Sequence, residues 1–88
     1  MKKDIKLTII STGLNLTLEG NNEDDFMVAL DAQDVNSEEV TQNLKINITT
    51  KLKTLKGDMN IDINMNFEDN IKVIDALNEA FSYISIPV

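Results

Sequence analysis

Two runs of strict alternation in the second half of the chain constrain its fold most. Leu44, Ile46, Ile48, Thr50 and Leu52 hold even positions, and Met59, Ile61, Ile63, Met65 and Phe67 hold odd ones. Successive side chains of an extended strand point to opposite faces, so each run builds one apolar and one polar face. A two-residue loop at Lys56-Gly57 joins the runs into a hairpin. It pairs Leu52 with Ile61, Thr50 with Ile63, Ile48 with Met65 and Ile46 with Phe67, and sets Lys51 opposite Asp62 and Lys45 opposite Glu68. A four-residue loop also keeps the apolar faces together. It loses both charge pairs, each worth about a few tenths of a kcal/mol, so the first register is the expected one. On the polar face Asn60, Asp62, Asn64 and Asn66 then lie across from Lys53, Lys51, Thr49 and Asn47, as the wet side of an antiparallel sheet.

The first half opens in the same way. Ile5, Leu7 and Ile9 alternate at odd positions and Leu14, Leu16 and Leu18 at even ones. The change of parity forbids one flat strand carrying all six on one face. A turn at Thr12-Gly13 resolves it, pairing Ile9 with Leu16, Leu7 with Leu18 and Lys6 with Glu19. A bulged single strand is the alternative.

Two helices are expected. The segment from about Glu68 to Tyr83 places Ile71, Ile74, Leu77 or Asn78, Phe81 and Ile84 at helical spacing, with Asn66 as cap and Glu68-Asp69 in the first turn. Pro87 disfavours helix at Ile86 and turns the tail into an extended stub. In the middle, Phe26, Val28, Leu30 and Ala32 fit a strand, whereas Asn22 followed by Glu23-Asp24-Asp25 fits a capped helix. The spacing of Asp24-Asp25 to Leu30-Asp31-Ala32 recurs in Glu68-Asp69 and Ile74-Asp75-Ala76, which favours helix and raises the idea of an internal duplication. Asp34 to Asn43 connects this element to the second hairpin, with Ser37-Glu38-Glu39-Val40 either a short helical turn or a polar loop. The fold class expected is α+β: residues 1–88 form one small domain, a four-stranded antiparallel sheet from two hairpins with one or two helices on one face, in a ββαββα layout.

Composition excludes several kinds of chemistry. The 88 residues include no Cys and no His, so disulfides, cysteine-ligated zinc and histidine-based nucleophilic triads are out of reach. Asp58-x-Asn60-x-Asp62 opens like a calcium loop, but Ile63 and Asp69 stand where that loop needs Gly and Glu. The three glycines form no phosphate-binding loop. No cofactor and no metal is expected, and the chain is expected not to be an enzyme. All eight basic residues are Lys, which together with abundant Ile and Asn suggests an AT-rich coding sequence, as in a low-GC bacterium or a phage or mobile element carried by one. No secretory segment is visible, so the expected location is the cytoplasm. Membrane binding is not expected, Lys2, Lys3 and Lys6 being too short a basic cluster to rely on.

The net charge of −7 is localised. Residues 7–44 contain no Lys and carry Glu19, Glu23, Asp24, Asp25, Asp31, Asp34, Glu38 and Glu39. Concentrated like charge speeds association with a complementary patch and repels wrong partners. These eight residues are therefore the candidate partner-binding site, and the expected partner is a protein with a basic surface. Direct nucleic-acid binding is disfavoured by the charge and by the absence of Arg. The plainer account of the stretch is a solvated face plus an acidic helix N-terminus. In size and charge alone the chain resembles small acidic phage proteins that block restriction or CRISPR enzymes. The resulting expectation is an inhibitor that occupies a basic, nucleic-acid-binding surface of a host protein, as a DNA mimic would. The alternative is a structural or self-assembling subunit, such as a phage particle component or a regulatory dimer. A core with only four aromatics would gain from a further buried face, which keeps a homo-oligomer open.

Overall fold

The computed structural model describes residues 4–84. Lys2, Lys3 and the tail around Pro87, read above from sequence, lie outside the described residues. The elements run β1 (Ile5–Ser11), β2 (Leu14–Gly20), α1 (Glu23–Ala32), β3 (Val40–Thr41), β4 (Leu44–Thr54), β5 (Gly57–Phe67), β6 (Ile71–Lys72) and α2 (Val73–Ser82). Four strands form an antiparallel sheet in the order β2-β1-β4-β5, and β3 pairs with β6 in a two-stranded one. The two hairpins stand back to back, joined through β1 and β4, and both helices pack on one face.

The first hairpin has the expected register, with Ile9 opposite Leu16, Leu7 opposite Leu18 and Lys6 opposite Glu19. Gly13 supplies the one positive φ of the turn, +79°. The second hairpin is shifted by two residues from the expected register. Leu52 faces Met59, Thr50 faces Ile61, Ile48 faces Ile63 and Ile46 faces Met65. The two charge pairs expected are absent from the ladder: Lys51 faces Asn60 and Lys45 faces Asn66, while Lys53 gains Asp58. The reason lies in the turn. A tight two-residue loop at Lys56-Gly57 needs a positive φ at its first residue, which is costly for Lys. The observed loop is Leu55-Lys56, neither of which has a positive φ, and Gly57 takes the one unusual angle at +120°. Thr54 holds the turn, its Oγ1 donating to the Gly57 carbonyl and accepting from the Lys56 N–H.

The helix reading of the middle segment is correct. Asn22 caps α1, its Oδ1 accepting from the Asp25 N–H at 2.9 Å, while Asp25 reaches back to accept from the Asn21 N–H at 2.8 Å. Phe26 and Leu30, one turn apart, are fully buried, and Val28, which a strand would have placed beside them, is 70% exposed. The helix ends in a Schellman motif: Val35 N–H donates to the Leu30 carbonyl and Asp34 N–H to that of Asp31, both at 3.0 Å, with Asp34 in the left-handed region at φ +59°.

The second helix starts later than its acidic residues suggested. Strand β5 runs on through Asn66 to Phe67, and Ile71 and Lys72 pair with Thr41 and Val40 before α2 begins at Val73. Asn66, Glu68 and Asp69 therefore neither cap nor open it, and the matched spacing falls differently on the two helices: Asp24-Asp25 lie in the first turn of α1, whereas Glu68-Asp69 precede α2. The α2 N-terminus has no side-chain cap; the Ser37 carbonyl accepts from the Ile74 N–H at 2.9 Å. The buried stripe is Val73, Ala76, Leu77 and Ala80; Phe81 packs against it, Ile74 is half-buried, and Ile71 and Ile84 pack on the core from outside the helix. Between Asp34 and Asn43 lies a turn at Ser37-Glu38, closed by Glu39 N–H on the Asn36 carbonyl, then β3.

The core is one layer between sheet and helices. Leu7, Ile9, Leu44, Ile46 and Ile48 meet Phe26, Leu30, Val73, Ala76, Leu77 and Ala80, and Phe26 and Phe81 join the helices with ring centroids 5.6 Å apart. Fully burying a Leu, Ile or Phe side chain is worth about 1.5–3 kcal/mol, so these few residues dominate the stability of so small a domain.

Candidate functional site

The eight acidic residues singled out by the charge pattern do not form one surface. Glu19 follows the inward-facing Leu18 on β2, so it projects from the outer face of the sheet, away from the helices. There it shares a shallow groove of about 380 Å³ with Asp4, Lys6, Thr49, Lys51 and Asp62. Glu23, Asp24 and Asp25 make the first turn of α1, where their charge complements the helix dipole. Asp31 sits in its last turn, and Asp34, Glu38 and Glu39 follow it. A ten-residue helix is about 15 Å long, which separates the first-turn acids from those at the far end. Seven of the eight are exposed and Glu23 is half-buried.

Their local roles differ. Asp25 is part of the cap, and Asp34 is the left-handed residue of the Schellman motif, a position where Gly or Asn is usual. Its carboxylate also lies at the negative end of the helix dipole, an unfavourable place for it. Asp34 and Glu39 come together at the rim of a second groove of about 270 Å³, which Ser11, Thr12, Val35 and Val40 also line. Both grooves are open and shallow.

The outer face of the sheet is polar throughout its centre. Asn47 organises it: its Nδ2 donates to Asp62 Oδ1 at 2.7 Å and to Asn64 Oδ1 at 2.6 Å. Asn60, Asp62, Asn64 and Asn66 form the expected polar stripe, with register partners Lys51, Thr49, Asn47 and Lys45. Among the described residues no group of three or more acidic, His or Cys side chains is placed to hold a metal ion, and no helix is long and apolar enough to cross a membrane.

One surface was not anticipated. Strands β4 and β5 have eleven residues each against seven in β1 and β2, and β1 pairs with β4 only as far as Thr50. Lys51–Thr54 and their partners Gly57–Asn60 therefore form an arm reaching about 13 Å past the four-stranded sheet. Lys51, Lys53 and Lys56 make it basic. Leu55 at its tip is fully exposed and Met59 is 51% exposed. The signal was present in the unequal lengths of the alternating runs. Comparison with protein-family models, with curated proteins and with solved structures finds no match for this chain.

Proposed function

We propose that the chain is a non-enzymatic protein-binding module that meets a basic surface on its partner. Within that reading it acts as an inhibitor encoded by a phage or mobile element of a low-GC bacterium, working in the cytoplasm on a host protein whose basic surface normally holds nucleic acid. The observation that carries the proposal is the localisation of charge. No Lys interrupts residues 7–44, while Asp24, Asp25, Asp31, Asp34, Glu38 and Glu39 stand exposed on and after one helix. Such a field raises association rates with a complementary partner and does so most at low ionic strength. The test is capture of partners by the immobilised protein from a low-GC bacterial lysate. The reading expects a nucleic-acid-binding protein that is released by moderate salt and displaced by added duplex DNA. Captured proteins indifferent to both would refute it.

A second reading, a self-assembling subunit, is favoured by Leu55 and Met59 on the arm. It expects sedimentation to change over a tenfold range of protein concentration, and a strict monomer throughout would end it.

A further inference from the structure

We propose that β5 is a docking edge for an extended segment of the partner, added as a fifth strand, in which apolar residues alternate with Lys or Arg. This rests on the reading of the chain as a module for a basic partner and names the mode of its binding.

Among the described residues strand β5 ends the sheet, so one side of its backbone faces outward along eleven residues. Natural edge strands are blunted by Lys, Pro, a bulge or a covering element. Strand β5 contains no Lys and no Pro, and eleven consecutive pairs with β4 leave no bulge. Among the described residues the loop and turn backbone bonds involve residues 29–39, 74 and 80–84, none of them in β5. The other edge, β2, is four residues shorter, and its end is closed where Gly20 abuts Asp25 and Phe26 at the start of α1.

The side chains of β5 specify what fits beside it. Met59, Ile61, Ile63, Met65 and Phe67 face the helix side, none fully buried, and an added strand bearing apolar residues there would extend the core layer over them. On the opposite face an incoming strand meets Asp58, Asn60, Asp62, Asn64 and Asn66, two carboxylates and three amides; on the β4 side Lys53 faces Asp58, Lys51 and Lys45 face Asn60 and Asn66, and Asn47 donates to Asp62. Directly opposed side chains of neighbouring strands lie about 5 Å apart, close enough for Lys or Arg to pair with Asp58 and Asp62. The same charges argue against a second copy of this chain on the edge, since two β5 strands would bring only carboxylates and amides together on that face. Backbone hydrogen bonds supply affinity in such strand addition, and the alternating side chains supply choice.

The experiment is an amide NMR titration of the isotope-labelled full chain with three synthetic peptides. One alternates Val and Lys, one alternates Val and Glu, and one is the Val–Lys peptide with every second backbone nitrogen methylated. The expected result is shift changes centred on residues 57–67, with the Val–Lys peptide bound about fivefold more tightly than the Val–Glu peptide, as two favourable cross-strand pairs imply. Methylation should abolish binding. Asp58→Asn with Asp62→Asn, which keeps an acceptor for Asn47, should remove the preference for Lys. Shift changes confined to residues 19–39 would overturn the edge proposal and leave the acidic stretch as the docking surface. Equal binding of the methylated peptide, or no binding at millimolar peptide, would also overturn it.

Discussion

Asp34 is the residue at which stability and charge pull in opposite directions, and replacing it with Gly should stabilise the protein. Its φ of +59° costs an L-residue about 1 kcal/mol, somewhat less for Asp than for most, and Gly removes that cost. Its carboxylate at the C-terminus of α1 adds about 0.3–1 kcal/mol of unfavourable dipole interaction at low salt. Against these, Gly loosens the unfolded chain by about 0.4–1 kcal/mol. The net expectation is about 1 kcal/mol of added stability, which in a domain of 88 residues raises Tm by about 4–8 °C. Asp34→Asn separates the contributions, since it keeps a residue tolerant of the left-handed region and removes only the charge. It should give about half the gain, and that gain should shrink in high salt. Thermal unfolding followed by circular dichroism at low and high salt measures both. A Tm for Asp34→Gly equal to or below that of the parent would refute the reasoning, showing that the Asp34 side chain makes a stabilising interaction that outweighs its backbone cost.

Four further substitutions test other parts of the structure. Gly20→Ala should destabilise by about 1–3 kcal/mol, because the new Cβ would lie 2.8 Å from Asp25 Cβ and 3.2 Å from the Phe26 ring; an unchanged urea midpoint would count against this packing of α1 on β2. Phe26→Ala should cost about 3–5 kcal/mol in urea unfolding, a large part of the total stability of so small a domain. Asn22→Ala should cost about 1 kcal/mol by removing the cap of α1, and hydrogen exchange should quicken first at Asp25. Asp58→Lys checks the hairpin register: opposite Lys53 it should cost about 0.5 kcal/mol, whereas opposite Leu55, as in the alternative register, it should cost almost nothing.

Much of the fold is legible in the alternating apolar runs. Period two and the change of parity across Thr12-Gly13 set the first hairpin: a slip of one residue would turn one strand's leucines or isoleucines toward water, and Gly13 fixes the turn by taking its positive φ. In the second hairpin a slip of two keeps every apolar residue on its face, so hydrophobicity cannot choose between registers. The choice falls to the backbone: placing Gly57 at the positive φ outweighs two exposed charge pairs worth tenths of a kcal/mol. The start of α2 was hidden for a related reason. Asn66, Glu68 and Asp69 are good local signals for a helix, but the ladder of β5 and the pairing of Ile71-Lys72 with Val40-Thr41 are tertiary gains that a local pattern does not register. The placement of acids on α1 was legible through Asn22 and the turn that follows. Their division between the two ends of the helix was not, since charge along the sequence says nothing about which face or end a residue occupies. The open edge of β5 is a property of strand order, which the alternation leaves undetermined.

The most direct test of the central claim compares two forms of the protein in one capture experiment. The parent and a variant carrying Asp24→Lys, Glu38→Lys and Glu39→Lys, all exposed positions, are immobilised at equal density and exposed to the same low-GC lysate. Circular dichroism first establishes that both are folded. The account predicts that the parent retains a basic partner at low salt and that the variant loses it. Retention of the same partner by both, with the same salt release, would contradict the claim that the acidic stretch draws the partner in.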